Sequence, residues 1–302
     1  MPDTFPRGRI CWHELLTTDP EAARAFYPKI AGWGTEAWEQ DASYVLWTTR
    51  DGPIGGLMAQ ADEARKVGAP SSWLIHVAVP DVDATVRQAT GLGARVRVPA
   101  RDVPTVGRFA VLADPQGATF AAFTPAGAVP GHDGPAQPGE FSWHELATTD
   151  WHAAWSFYER LFGWTKMQAM DMGPAGTYQM FGRLGQMLGG VYDVPRERPA
   201  PPHWLCYVLV PSADGAATLV RRLGGKVVNG PMDVPGGDRI TMCVDPQGAA
   251  FAVHARVAQG APAPAAKATR PARKVAKRRA PKKRPARKKP AAKRAKRPRR
   301  RR

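Results

Sequence analysis

Blocks of apolar residues divide the start of the chain into strands and one helix. The block Ile10–Thr17 is short and largely apolar, which predicts a strand. After it, Asp19 or Thr18 is placed to cap a helix that runs to about Ile30, with Pro20 in its first turn. The helical period is carried by four apolar positions, Ala22, Ala25, Phe26 and Ile30. The blocks YVLWTT and IGGLMAQ then predict two further strands.

The pattern starts again with a second set of the same elements. SWLIHVAV predicts a strand, Val82–Gly91 predicts a helix that ends at glycine, and ARVRV, RFAVLA and ATFAAF predict three more strands. The tetrapeptide DPQG joins the last two strands as a turn, where aspartate and glycine supply the backbone geometry that a turn needs. The order strand, helix, strand, strand, strand is therefore predicted twice in succession.

The whole arrangement is duplicated, because CWHELLTTD at residues 11–19 returns as SWHELATTD at residues 142–150, an offset of 131. DPQGA also occurs twice, and the same offset relates five aromatic pairs: Trp12 and Trp143, Phe26 and Phe157, Tyr27 and Tyr158, Trp33 and Trp164, and Trp73 and Trp204. A repeat of this length indicates two modules of one fold. We expect module 1 at residues 7–124, a Pro- and Gly-rich linker at 125–139 and module 2 at 140–256.

The net charge of +17 is confined to the C-terminal segment. Residues 257–302 contain 21 Lys and Arg and no Asp or Glu, so the first 256 residues have 22 basic and 26 acidic side chains and a net charge of −4. The segment consists mostly of Lys, Arg, Ala and Pro, which predicts disorder, and dispersed cations bind phosphate backbones without sequence preference. We expect nucleic acid or another polyanion to bind nine of its residues: Lys277, Arg278, Arg279, Lys282, Lys283, Arg284, Arg287, Lys288 and Lys289. The alternative is a tail that only adds solubility.

Three cysteines, Cys11, Cys206 and Cys243, lie far apart in apolar surroundings, which predicts buried reduced thiols and no disulfide or zinc framework. The N-terminus MPDTFPRGR lacks the apolar segment of a signal peptide, and no stretch has the ~20 apolar residues of a membrane span. We expect a cytoplasmic protein without membrane contact, associated with the nucleoid if the basic segment binds DNA.

Three spaced motifs carry a family resemblance. They are D-P-x-A-A-x-x-F-Y…G-W after the first strand, V-x-D-x-D-A…L-G in the second half of the module, and D-P-x-G before the last strand. Their order resembles the vicinal oxygen chelate superfamily, the glyoxalase, bleomycin resistance and extradiol dioxygenase group. The resemblance implies an α+β fold in which each module pairs two βαβββ units that curl into a half-open barrel around a cavity. Because such a fold serves many reactions, it indicates little about function.

The resemblance also implies three strand positions per module where His, Gln or Glu would hold a divalent metal. In this sequence those positions hold Trp12, Leu74, Ala121, Trp143, Leu205 and Ala252. None supplies a metal donor, so no metal cofactor is expected. Since side chains alternate across a strand, His13 is expected opposite to Trp12 and Glu14, beneath the helix layer. If the register differs, a divalent metal is the alternative, with four candidate ligands: His13, His76, His144 and His254.

The expected site is an aromatic cavity with a few polar groups, which is typical of small-molecule binding. Nine residues are expected to line it: Trp12, Trp47, Trp73, His76, Arg108, Trp143, Trp204, Tyr207 and Arg239. The alternative is that the tryptophans only fill the barrels. Glu14 and Glu145 are the candidate catalytic residues, because burial of Glu14 would raise its pKa and suit it to act as a general base.

Three functions are compatible with the sequence. The first is a metal-free protein that binds a small organic molecule and is tethered to nucleic acid by its tail. The second is a metal-dependent lyase or dioxygenase of the same superfamily, and the third is a nucleoid-associated structural protein without a working site. Because modules of this family pair to complete cavities, two fused modules are compatible with a monomer.

Overall fold

The computed structural model describes residues 5–66, 68–195 and 200–257. Module 1 contains eight strands: β1 (Ile10–Thr17), β2 (Gly34–Trp38), β3 (Asp41–Thr49), β4 (Gly52–Ala59), β5 (Ser72–Ala78), β6 (Arg95–Val103), β7 (Gly107–Ala113) and β8 (Thr119–Pro125). Its helices are α1 (Pro20–Ala31), α2 (Asp62–Lys66) and α3 (Val82–Gly91). The nine basic residues predicted to bind nucleic acid, within 277–289, lie outside the described residues.

Module 2 repeats this series. Its strands are β9 (Phe141–Thr148), β10 (Thr165–Asp171), β11 (Thr177–Arg183), β12 (Gln186–Asp193), β13 (His203–Leu209), β14 (Lys226–Asp233), β15 (Arg239–Val244) and β16 (Ala250–Ala255). Its helices are α4 (Trp151–Phe162) and α5 (Ala213–Arg222), with a 3-10 turn at Gly173–Ala175. Among the residues that the structure describes, no helix is long and apolar enough to cross a membrane.

Each module forms one mixed eight-stranded sheet. The strand orders are β2-β3-β4-β1-β5-β8-β7-β6 and β10-β11-β12-β9-β13-β16-β15-β14. In module 1, β1 is parallel to β4 and antiparallel to β5, and β5 is parallel to β8. The same three relations join β9, β12, β13 and β16. Each sheet therefore consists of two βαβββ units joined through their first strands, and the predicted α+β fold is confirmed.

The helix that follows the first strand is fixed by the same signals in both modules. The side chain of Asp19 accepts a hydrogen bond from the N–H of Ala22, and Asp150 does the same for Ala153. Both helices end at a glycine in the left-handed conformation, with φ of 75° in the first and 71° in the second. The repeated aspartate and glycine of the sequence thus set the length of α1 and α4.

The two modules exchange hydrogen bonds through these helices. The hydroxyl of Tyr27 on α1 donates to Asp245 in the DPQG turn of module 2, at 2.9 Å. The hydroxyl of Tyr158 on α4 donates to Asp114 in the DPQG turn of module 1, at 3.0 Å. All four residues are buried. Each module therefore completes the hydrogen bonding of the other.

Three tryptophans predicted to line a ligand cavity lie in the apolar core that both modules share. Trp47 is fully buried, and Trp73 and Trp204 are each 6% exposed. The indole N–H of Trp73 donates to the Tyr27 hydroxyl at 3.1 Å, and that of Trp204 donates to the Tyr158 hydroxyl at 3.2 Å. This placement favours the alternative that these tryptophans fill the interior.

Candidate functional site

Strand β1 presents two chemically different faces. Its residues alternate between partly exposed and buried, with Trp12 and Glu14 on the half-barrel face and His13 on the opposite, packed face. The His13 ring does not lie under the helix layer as expected. It stacks on Phe141 of β9, with ring centroids 3.6 Å apart, because the packed face of β1 also adjoins module 2. The histidine and the glutamate of this repeated pair therefore lie in separate environments, on opposite faces of the strand.

A short hydrogen-bond chain occupies the half-barrel of module 1. The indole N–H of Trp12 donates to the Tyr44 hydroxyl at 3.0 Å, and this hydroxyl donates to Glu14 at 2.9 Å. The other Glu14 oxygen lies 3.8 Å from Nε2 of His76, which is too long for a hydrogen bond. Nε2 of His76 is buried and has no hydrogen-bond partner within the described part of the chain.

The half-barrel of module 2 holds the same chain in a more closed form. The indole N–H of Trp143 donates to the Tyr178 hydroxyl, and this hydroxyl donates to Glu145, both at 2.8 Å. Tyr207, at the position of His76, donates its hydroxyl to the second Glu145 oxygen at 2.8 Å. Both carboxyl oxygens of Glu145 therefore accept hydrogen bonds from tyrosines.

The two glutamates differ in acidity. Burial acts to raise the pKa of Glu14, but the neighbouring His76 imidazole, the Tyr44 hydroxyl and the charge of Arg101 outweigh it, so this pKa is lowered. For Glu145, burial outweighs the hydrogen bonds from Tyr207 and Tyr178, and the pKa is raised. The raised pKa expected for Glu14 is therefore wrong for that residue and occurs at its repeat.

The family's metal positions do not fit a metal in either module. In module 1, Leu74 and Ala121 pack together in an apolar cluster with Val111. In module 2, Leu205 and Ala252 pack in the corresponding cluster, against Trp143. A first-row divalent ion needs nitrogen, oxygen or sulfur donors, and these side chains offer none that binds it.

Arg108 and Arg239 bind other side chains of their own module rather than facing a half-barrel. Arg108 donates to Asp83 and Asp102 at 2.8–3.0 Å. Arg239 makes the equivalent ion pairs with Asp214 and Asp233. All six side chains are at least one third exposed, so the repeated arginine ties a helix start to a hairpin at the surface.

A cavity of about 470 Å³ lies between the two modules. It is bounded by the first half of β1 and of β9, by the strand ends near Ile54 and Leu188, and by linker residues 131–136. Its apolar wall includes Phe141 and Trp143. Its volume falls within the ~300–1,000 Å³ range of small-molecule pockets.

Charged side chains line one side of this cavity. Arg9 forms a two-pronged ion pair with Asp133, at 3.1 and 2.6 Å, and Arg183 also contacts Asp133. Arg256 donates to the carbonyl of Ala136 at 2.9 Å. Three arginines thus line the cavity while Asp133 and Glu140 are its carboxylates, so the balance of charge is positive.

Ser142 and His254 form a polar pair on the cavity wall. Oγ of Ser142 lies 2.9 Å from Nδ1 of His254, whose Nε2 lies 2.8 Å from Asp238. Module 1 has no equivalent, since the matching residues are Cys11, Phe123 and Gly107. Both ring nitrogens of His254 are used in this chain, which orients the Ser142 hydroxyl and leaves it an oxygen lone pair for a bound molecule.

His13 and His144 meet where the modules adjoin, and both line the cavity. Their Nε2 atoms are 2.7 Å apart and their ring planes are inclined by 17°. Each histidine is 5% exposed. Burial, followed by the proximity of His144 and His76, lowers the pKa of His13 well below its usual range, and burial lowers the pKa of His144 to about 4.

Several residues of these sites were not found from the sequence. Tyr44 and Tyr178 are separated by 134 positions rather than 131, so the repeat does not align them. Phe141, Arg183 and Cys206 have no matching residue of the same type in module 1. These residues come close together only across the module boundary. The spacing of residues along the sequence gives no information about such contacts.

Comparison with known proteins places both modules in related families. Residues 10–123 match a family model described as a glyoxalase-like domain. Residues 140–253 match a model described as the glyoxalase/bleomycin resistance protein/dioxygenase superfamily.

Similar proteins cover both modules together. The provisionally named glyoxylase CFP32 of Mycobacterium tuberculosis is 31% identical over 251 residues, which are 82% of this chain and 95% of CFP32. The anthracycline biosynthesis protein DnrV of Streptomyces peucetius is 29% identical over 280 residues, 88% of this chain and 99% of DnrV.

Two solved structures are similar in fold. The Mn(II)-bound glyoxalase from Novosphingobium aromaticivorans has a TM-score of 0.56 and 17% identity, covering 84% of this chain and 83% of its own. The 2,3-dioxygenase LapB from Pseudomonas sp. KL28 has a TM-score of 0.56 and 14% identity, covering 83% and 92%.

Proposed function

The chain belongs to the glyoxalase/bleomycin resistance protein/dioxygenase superfamily, and we propose that it binds a small organic molecule in the cavity between its two modules. The observation that carries this proposal is the cavity of about 470 Å³, whose lining combines aromatic side chains with hydrogen-bonding and charged groups. A pocket with apolar walls and a few convergent polar groups is the usual form of a small-molecule site.

The lining favours a flat aromatic ligand with hydroxyl or phenolate groups. Phe141 and Trp143 contribute aromatic surface to the lining. The Ser142 hydroxyl, held by His254, offers a hydrogen bond, and the excess of arginine favours a negatively charged oxygen. Two relatives are named as anthracycline biosynthesis proteins, DnrV and DauV, and anthracyclines contain fused hydroxyquinone rings. We take the dihydroxyanthraquinone alizarin as the probe of this class.

The proposal is tested by calorimetric titration of the full-length chain with alizarin. Arg183→Gln removes a cavity cation and is expected to weaken binding by about tenfold, the size of one charge-assisted hydrogen bond. Arg239→Gln, which removes a surface arginine of the same module, is the matched control and is expected to leave the affinity within about twofold. If both variants and the unaltered chain bind alizarin with equal affinity, the cavity is not the binding site.

A second candidate site is the half-barrel of module 1, which holds Glu14, one of the two predicted catalytic residues; the other, Glu145, lies in the half-barrel of module 2. Two observations favour Glu14 for this role: its side chain is 14% exposed, and Nε2 of His76 beside it has no hydrogen-bond partner in the described residues. A carboxylate of this kind would act as a proton acceptor without a metal. If Glu14→Gln abolishes alizarin binding while Arg183→Gln does not, the ligand occupies the half-barrel. Glu145→Gln is the matched control in module 2.

We further propose that residues 257–302 hold the protein on nucleic acid. The support is compositional, since 21 positive charges with no acidic residue follow a body of net charge −4. The full chain is expected to be retained on DNA at low salt and released as salt rises, whereas the chain ending at residue 256 is expected to flow through. Equal retention of the shortened chain would show that the body binds DNA instead.

A further inference from the structure

The backbone of the neighbouring strand orients His144. Nδ1 of His144 donates to the carbonyl of Leu188 at 3.1 Å, so the lone pair of its Nε2 points to His13. Ile54 holds the position of β4 that corresponds to Leu188, one residue before Gly55, which pairs with His13 in the ladder. With Nε2 of His13 turned to His144, Nδ1 is the nitrogen that remains on the side of β4.

The two Nε2 atoms lie 2.7 Å apart, so they can share one proton or bind one metal ion between them. Both rings are 5% exposed and neither forms an ion pair with a carboxylate in the described residues. A metal ion bound by both Nε2 lone pairs would leave both Nδ1 atoms free to donate hydrogen bonds.

A third donor stands beside the pair. Sγ of Cys206 lies within 4.8 Å of a ring nitrogen of each histidine, and Cys206 is the direct partner of His144 in the β9–β13 ladder. Cys206 is completely buried. The matching residue of module 1 is Ile75, so this thiol has no counterpart there and the cluster contains a single sulfur. Two imidazoles and one thiolate suit a borderline-soft ion.

We propose that His13, His144 and Cys206 bind one Zn²⁺ ion at the junction of the two modules, with its fourth position facing the cavity. Zinc commonly has three protein ligands and one exchangeable position where small molecules bind. Zn–N bonds of ~2.0–2.1 Å at a tetrahedral angle place the two nitrogens roughly 3.3 Å apart, so the rings need to separate by only about 0.6 Å. The carbonyl of Leu188 supplies the outer hydrogen bond that orients His144 as a ligand.

This site is separate from the family's metal positions, which lie on the half-barrel faces. It also draws its ligands from both modules, so neither module contains it alone. Metal binding by these three side chains does not depend on whether alizarin binds.

The inference is tested on the full-length chain, purified without an affinity tag and saturated with zinc before gel filtration. One zinc per chain is expected by elemental analysis. Replacement of zinc by Co²⁺ is expected to give a near-ultraviolet thiolate-to-cobalt absorption. Cys206→Ser is expected to abolish that band, whereas Cys243→Ser, which removes a buried thiol outside the cluster, is expected to keep it.

His13→Gln and His144→Gln are expected to weaken zinc binding by more than the roughly 10- to 100-fold that loss of an outer hydrogen bond costs. Should either variant fail to fold, the cobalt spectra of Cys206→Ser and Cys243→Ser still decide the matter. Less than stoichiometric zinc in the unaltered chain, or a thiolate band that survives Cys206→Ser, would overturn the inference.

Discussion

Repeated residues of this chain have kept their positions but not always their chemistry. Glu14 and Glu145 occupy the same place in the two modules, and each accepts a hydrogen bond from a tyrosine hydroxyl. Their pKa values nevertheless shift in opposite directions, because His76 stands beside Glu14 where Tyr207 caps Glu145. The repeat could predict that both carboxyls face a half-barrel. It could not predict their protonation, which depends on neighbours from other strands.

The buried tyrosines that join the modules are expected to be important for stability. Tyr27→Phe removes the hydroxyl that donates to Asp245 and accepts from Trp73, leaving two buried groups without a partner. We expect the free energy of unfolding to fall by about 2–3 kcal/mol, measured by guanidinium denaturation. Tyr158→Phe should give a loss of similar size. Tyr192→Phe keeps the ring that stacks on Tyr178 and is the control, with a loss below about 1 kcal/mol.

At the scale of elements, two glycine pairs control how the half-barrels are filled. Gly56 on β4 and Gly190 on β12 lie directly under Tyr44 and Tyr178, and a Cβ at either position would overlap the tyrosine. The preceding glycines, Gly55 and Gly189, lie against the carbonyls of the neighbouring first strand. The absence of side chains lets each tyrosine cross the sheet to its glutamate. Glycine inside a strand typically marks such a close approach.

Gly190→Ala is therefore expected to displace Tyr178 and to destabilise the protein by about 1–3 kcal/mol, the usual cost of overpacking. Thermal unfolding followed by circular dichroism measures this loss. Gly91→Ala is the matched control, because Gly91 is in helix α3 with no atom near its missing Cβ. That variant is expected to be neutral or to gain up to ~1 kcal/mol. A stable Gly190→Ala protein would show that Tyr178 is not held over the glycine.

Most elements could be predicted from the sequence, because their signals are local. The strand β1, the cap at Asp19 and the helix Val82–Gly91 follow from apolar period and capping residues alone. The short helix Asp62–Lys66 was not predicted, since none of its residues is buried and it therefore has no apolar face to detect. The cavity was not predicted either, because its walls come from strands and a linker far apart in the chain.

At the scale of the whole molecule, the two modules share one core. Phe26 of α1 contacts Phe251 of β16, and Phe157 of α4 contacts Phe120 of β8, with ring centroids 5.9 and 6.0 Å apart. The residues of the first contact and those of the second are related by the same offset of 131 as the sequence repeat. The duplicated helix therefore packs on the partner module as well as on its own, which explains why its aromatic residues recur.

A shared core predicts that the two modules unfold together. Guanidinium denaturation followed in parallel by tryptophan fluorescence and circular dichroism is expected to give one coincident transition. Tyr27→Phe in module 1 and Gly190→Ala in module 2 should each move that same transition to lower denaturant. Two separate transitions, each sensitive to only one of the variants, would show that the modules are independent.

The cavity, the pair His13 and His144, and the thiol of Cys206 all lie where the two modules meet. The function that we propose is therefore located there and not inside the half-barrels. A crystal structure of the full-length chain soaked with alizarin tests this most directly. We predict density for the three fused rings against Phe141 and Trp143, in the cavity lined by His13 and His144. Density beside Glu14 within the half-barrel of module 1, with the cavity between the modules empty, would contradict it.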